Sequence, residues 1–201
     1  MLAGAALLNF AGSAIGALYV VYTYRELGFS PAELAVTFSF GGVAGLLGAF
    51  AAPGIFRRVG LAKAVPLCAL AAGLAFFLIP AASTAPGPAL LWMSSYQMVF
   101  GSVATVWAIG LITVRQLTAR EGHLGRVNAF SQTALLATIP LGSISGGVAA
   151  EVFGLLPTLL TFSALASTAW LFYARPSMWA DFQEPSSEGH LAPTATAATR
   201  D

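Results

Sequence analysis

Ser94, Gln97, Gly101 and Thr105 follow one another at spacings of three and four, so a helix places them on a single stripe, with Trp92 and Tyr96 beside it. Hydroxyl, amide and indole groups in that pattern offer hydrogen bonds and flat apolar faces. They offer neither a nucleophile with its base nor a charge that could carry a proton. Asn9 and Ser13 share a face of an earlier apolar stretch, and Gln132 lies with Thr133 in a later one. Polar groups within apolar stretches are costly unless they face protein or water, which leaves two readings open: contact with a passing solute, or hydrogen bonding between helices. Asn9, Ser13, Ser94, Gln97, Thr105 and Gln132 are the candidates for solute contact.

Catalytic chemistry finds no foothold. There is no HExxH, no phosphate-binding glycine loop, no nucleophile elbow and no acidic pair inside an apolar stretch; His123 falls in a basic connection and His190 near the C-terminus. Glu151, at the far end of its stretch, is the nearest an ionisable group comes to an apolar interior; it reads first as an interfacial cap or a partner for Arg25, and alternatively as a gate or a proton acceptor. Cys68 is the one cysteine, which excludes an intrachain disulfide and a cysteine zinc cluster. The expectation is a protein that is not an enzyme and uses no cofactor or metal.

The elements that must carry these residues are written for lipid. Between Lys63 and Arg115 the chain runs 51 residues without a charge, and uncharged runs at 1–24, 34–56, 127–150 and 152–174 surround it. A bilayer core takes roughly 20 apolar residues per helix, and a soluble protein cannot hide five such runs behind a polar surface. With 57% hydrophobic and 8% charged residues and a mean hydropathy of +0.79, the chain lies far from ordinary soluble composition. Its nine basic residues are split among separate connections rather than gathered into a patch, so nucleic acid is not an expected partner. Membrane lipid is.

The long run is broken by the stretch Pro80 to Pro88, giving six expected transmembrane helices at about 2–22, 32–55, 64–82, 89–114, 127–151 and 155–174. Ser30, Pro31 and Glu33 form a helix-start signature, with Ser30 as N-cap and Glu33 placed to reach back. The Gly154 to Pro157 turn separates the last two spans, and Pro140 offers a place where the fifth can bend. Residues 176–201, rich in Pro, Ser, Glu and Thr, read as a disordered tail. Arg57, Arg58, Lys63, Arg115, Arg120, Arg126 and Arg175 lie at even connections or after the last span, against Arg25 alone on the odd ones, which places both termini in the cytoplasm.

Three glycine pairs at a spacing of four, Gly12 with Gly16, Gly41 with Gly45 and Gly142 with Gly146, are the expected helix-packing positions. They suit a tightly packed bundle or helices that slide past one another. The expectation at this level is an all-α membrane bundle.

The motifs Leu18-Tyr-Val-Val-Tyr-Thr-Tyr-Arg-Glu-Leu-Gly-Phe-Ser-Pro31, Gly41-Gly-Val-Ala-Gly-Leu-Leu-Gly48, Arg57-Arg-Val-Gly60, Val114-Arg-Gln116, Leu124-Gly-Arg-Val-Asn-Ala129 and Pro140-Leu-Gly142 with Gly146-Gly147 resemble the C-terminal six-helix half of a major facilitator superfamily transporter. The similarity is to the branch of enterobactin-exporter-like and macrolide-efflux-like permeases and covers residues 1–175. It implies one half of a twelve-helix fold, a solute cavity between halves and alternating access. It further implies an integral plasma-membrane permease, an antiporter exporting a small amphipathic or siderophore-like solute, with its first, second, fourth and fifth helices lining the cavity. Arg57, Arg58 and Gly60 stand where the family's conformational latch recurs, without its usual aspartate, and Arg115 and Arg126 flank the counterpart loop. A chain that starts at the family's seventh helix is expected to need a missing N-terminal half or a second copy as partner. The rival expectations are a non-transporting membrane fragment or packing subunit, and a lipid translocator of the same fold.

Overall fold

Seven α-helices and one 3-10 turn build the chain, seen in a computed structural model that describes residues 2–118, 124–174 and 179, without the side chains of residues 118 and 124–128. Helix α1 is Leu2–Arg25, α2 Pro31–Val59, α3 Leu61–Ala75, α4 Leu78–Thr84, α5 Ala89–Thr118, α6 Leu124–Phe153 and α7 Leu155–Ser167, which runs into the 3-10 turn Thr168–Phe172. They make six segments long and apolar enough to cross a membrane, with α3 and α4 together forming the third, Leu61–Thr84, and α7 with the 3-10 turn the sixth, Leu155–Phe172. By length and composition this is a multi-pass, all-helical membrane protein.

Local chemistry sets the helix ends. The capping box at α2 forms in full: the Ser30 backbone N–H donates to Glu33 Oε2 at 2.8 Å and the Glu33 N–H to Ser30 Oγ at 3.3 Å, with Pro31 opening the helix. Gly60 (φ 81°) and Gly154 (φ 89°) are one-residue junctions in the left-handed region, which only glycine enters without strain. The turn at 85–88 closes with Gly87 and the Trp92 indole N–H, which donates to the Pro86 carbonyl at 3.3 Å. Pro140 does not interrupt α6.

The third span is not one straight rod. It breaks between Phe76 and Phe77, where the Phe77 N–H reaches back only three residues, to the Leu74 carbonyl. Pro80 accounts for the break: it has no N–H to give the Phe76 carbonyl four residues back, and its ring crowds that carbonyl.

The packing has an internal repeat. The first span packs on the fifth and sixth, and the fourth on the second and third, while the third and sixth pack on each other. Exchanging spans one, two and three for four, five and six preserves these relations. Details repeat as well: both third members follow a glycine junction and both depart from α-helix before their ends. Gly48 precedes Gly60 by twelve positions, as Gly142 precedes Gly154, and in each case the earlier glycine lies against backbone of a partner helix. A Cβ at Gly48 would lie 2.5 Å from the Ser102 carbonyl oxygen on α5; one at Gly142 would overlap the Phe10 carbonyl oxygen on α1.

The core follows from this arrangement. Ile15, Leu18, Tyr19 and Tyr22 of α1 meet Ala72, Phe76 and Ile79 of the third span, Met93 and Tyr96 of α5, and Leu159, Phe162 and Ala166 of α7. The outward faces of α2 and α6 stay uncovered, with Phe50 76% exposed and Phe153 70% exposed. The tail at 176–201 lies outside the described residues except Trp179, which is buried and donates its indole N–H to the Tyr173 carbonyl at 2.7 Å.

Candidate functional site

A cleft of about 400 Å³ opens between α1 and α5, the first helices of the two repeats. One wall is α1, where Leu8, Asn9, Gly12, Ser13 and Gly16 advance along one helical face. The other is α5, whose Tyr96, Phe100, Ala104, Trp107 and Ala108 face it, and Phe76 closes the back where the third span breaks. The glycines make the room: a Cβ at Gly16 would meet nothing, and one at Gly12 would meet the Phe76 ring at 3.3 Å.

Aromatic rings form its lining. Phe76 and Phe100 lie 4.9 Å apart between centroids, Tyr96 stacks on Phe100 at 5.5 Å, and Tyr19 extends the row at 5.6 Å from Tyr96 and 5.5 Å from Phe38. At the other end Trp107 meets Tyr173 edge-on at 6.4 Å, and neither the Trp107 indole nitrogen nor the Tyr173 hydroxyl completes a hydrogen bond. No charged side chain among the described residues lines the cleft. Among the described residues, no three of His, Cys, Asp and Glu come together as a metal ligand set.

The expected solute-contact residues part company here. Asn9 and Ser13 do line the cleft; the Ser13 hydroxyl donates to the Asn9 carbonyl at 2.7 Å. The polar stripe of α5 points elsewhere. Gln97, 8% exposed, lies over Gly41 of α2 and donates through Nε2 to the Tyr19 hydroxyl at 3.3 Å, which donates in turn to Thr37 Oγ1 at 3.1 Å. Thr105 donates to the Gly101 carbonyl at 2.8 Å beside Gly45, and Ser94 is buried without lining the cleft. Gln132 is exposed on α6, and its neighbour Ser131 is the one turned inward, toward a smaller space beside Arg115. Spacing gave the stripe on α5 its common face, but the helix it faces is α2. The groups that do line the cleft on that helix are the aromatic neighbours one position away.

The glycine pairs divide the same way. Gly41 and Gly45 pack against Gln97, Gly101 and Thr105, and Gly142 and Gly146 against Phe10 and Ala14. Gly12 and Gly16 do not hold a helix; they keep the cleft open. Of the latch candidates, Arg57 and Arg58 are exposed in the last turn of α2, where cations suit the helix C-terminus, and Gly60 is the junction itself. Arg115 Nε donates to the Leu111 carbonyl of its own helix at 3.3 Å. The side chain of Arg126 lies outside the described residues.

Comparison with protein-family models, curated proteins and solved structures finds no match to this chain. Its reading therefore rests on geometry: a small-molecule-sized space, aromatic and uncharged, between two helices that occupy equivalent places in a repeated bundle.

Proposed function

We propose that this chain is one half of a secondary active transporter of the major facilitator type, exporting a small amphipathic solute by alternating access. The observation that carries the reading is the cleft between α1 and α5. Each half of that architecture is built from two three-helix repeats, and the solute cavity lies between the halves, lined by the first, second, fourth and fifth helices of each. In this chain the first and fourth spans, which lead the two repeated groups of three, flank an aromatic cleft, with Phe76 of the third span behind. The uncovered apolar faces of α2 and α6 suit a second six-span body, either a separate half or another copy. The basic residues of the even connections support a plasma-membrane protein with both termini in the cytoplasm.

The test is efflux. Cells producing the chain and preloaded with an amphipathic dye are expected to lose it faster than cells producing Gly142→Leu, in which α1 and α6 cannot close, and a protonophore is expected to abolish the difference. Equal retention by both would sink the transport reading in favour of a packing subunit.

A further inference from the structure

The cleft is selective in a way its aromatic walls and missing charges define together. Its lining residues include no Lys, Arg or His to hold an anion and no Asp or Glu to hold a cation. A bare charge placed there would give up water without a counter-ion, and a cation would recover only the modest attraction of ring faces. Besides the Ser13 hydroxyl, which bonds the Asn9 carbonyl, and the unpaired Trp107 indole N–H, two polar groups remain. Tyr96 is buried to 7% exposure, and its hydroxyl and the Asn9 side-chain amide have no hydrogen-bond partner among the described residues. A hydroxyl without a protein partner at the wall of a cavity is free to take one from a ligand. The stacked Tyr96 and Phe100 rings and the Phe76 ring present flat apolar surface beside it.

We infer that the α1/α5 cleft binds an uncharged, planar aromatic compound bearing a hydrogen-bonding substituent that meets the Tyr96 hydroxyl and the Asn9 amide. This rests on the reading of the cleft as a solute site and narrows it: a polyanionic siderophore does not fit the lining. The volume of about 400 Å³ suits a bicyclic or tricyclic ring system.

The experiment is a fluorescence titration of the purified full chain in detergent, with three probes: neutral N-phenyl-1-naphthylamine, anionic 1-anilinonaphthalene-8-sulfonate and cationic ethidium. The neutral probe is expected to bind saturably and at least tenfold more tightly than either charged one. Gly16→Phe, which fills open space without touching a helix contact, is expected to weaken it at least tenfold, while Gly147→Phe, equally open on α6, leaves it unchanged. Tyr96→Phe keeps the ring and loses the hydroxyl; a severalfold loss is expected, and this variant decides the matter if Gly16→Phe does not fold. Equal binding of a charged probe, indifference to Gly16→Phe and Tyr96→Phe, or competition by dodecane as effective as by unlabelled naphthylamine would overturn the inference, the last making the cleft an acyl-chain groove. Neutral-probe binding without dye efflux would leave this inference standing and remove the transport reading; efflux confined to charged dyes would do the reverse.

Discussion

The crossings of α1 with α6 and of α2 with α5 occupy equivalent places in the repeat, yet they are held by different chemistry. At α1/α6, backbone meets backbone: Gly142 lies on the Phe10 carbonyl, Gly146 on Ala14, and among the described residues the one side-chain hydrogen bond across them is that of Ser143, whose hydroxyl donates to the Ser13 carbonyl at 3.4 Å. At α2/α5, Gly48 and Gly101 bring backbones together in the same manner, but the contact also carries the Gln97 amide over Gly41, tied through Tyr19 to Thr37. Small residues alone suffice to join two membrane helices; an amide added to the joint must then be satisfied there. The difference leaves Gln97 and Thr105 engaged within the α2/α5 joint and the aromatic face beside them on the cleft.

The comparison can be broken by adding single methyl groups. Gly142→Ala is expected to have the largest effect, about 3 kcal/mol, because the new methyl meets a carbonyl oxygen that cannot yield. Thermal loss of the monodisperse peak on size exclusion measures it, with Gly147→Ala, in open space, as the unchanged control. Gly101→Ala, whose Cβ would lie 2.6 Å from the Gly41 carbonyl oxygen, should cost about 2 kcal/mol in the same assay. Parent-like melting of either variant would mean that its crossing is looser than described.

A double-mutant cycle sharpens the distinction. Gly41→Ala alone should destabilise, since its Cβ would sit 2.9 Å from Gln97 Oε1, but in a Gln97→Ala background the methyl occupies space the amide has left. A coupling of about 1 kcal/mol is expected, and strict additivity would place the amide elsewhere. The smallest effect belongs to Ser143→Ala, about 0.5 kcal/mol, because the long hydroxyl contact adds little to a joint already made by glycine.

Much of the scaffold could be read from residue order because lipid enforces it. Uncharged runs located the six spans, and Ser30 with Glu33 marked the start of α2, since a capping box is a local device that needs no tertiary partner. Helix spacing also put Gln97, Gly101 and Thr105 on one face, and all three meet α2. It could not say which neighbour that face meets, because in a bilayer polar side chains satisfy each other across helices as readily as they line a path. Gln132 and Ser131 illustrate the same limit: adjacent residues point about 100° apart, and only packing decides which is buried. The break at Phe76 follows from Pro80 four residues on, but in the sequence that proline reads as the start of the 80–88 turn rather than as a break one turn earlier, and with it the back of the cleft went unseen. The repeat was legible in one trace only, the matching distances from Gly48 to Gly60 and from Gly142 to Gly154.

Those two junctions have a consequence for how the spans can move. A single residue spans under about 4 Å, so the end of α2 and the start of α3 stay at one depth of the bilayer, as do the end of α6 and the start of α7. Each glycine ties two spans at one membrane face and leaves their far ends untied. A tilt of one helix then carries the near end of its neighbour with it, in couples that cut across the packing contacts of the bundle.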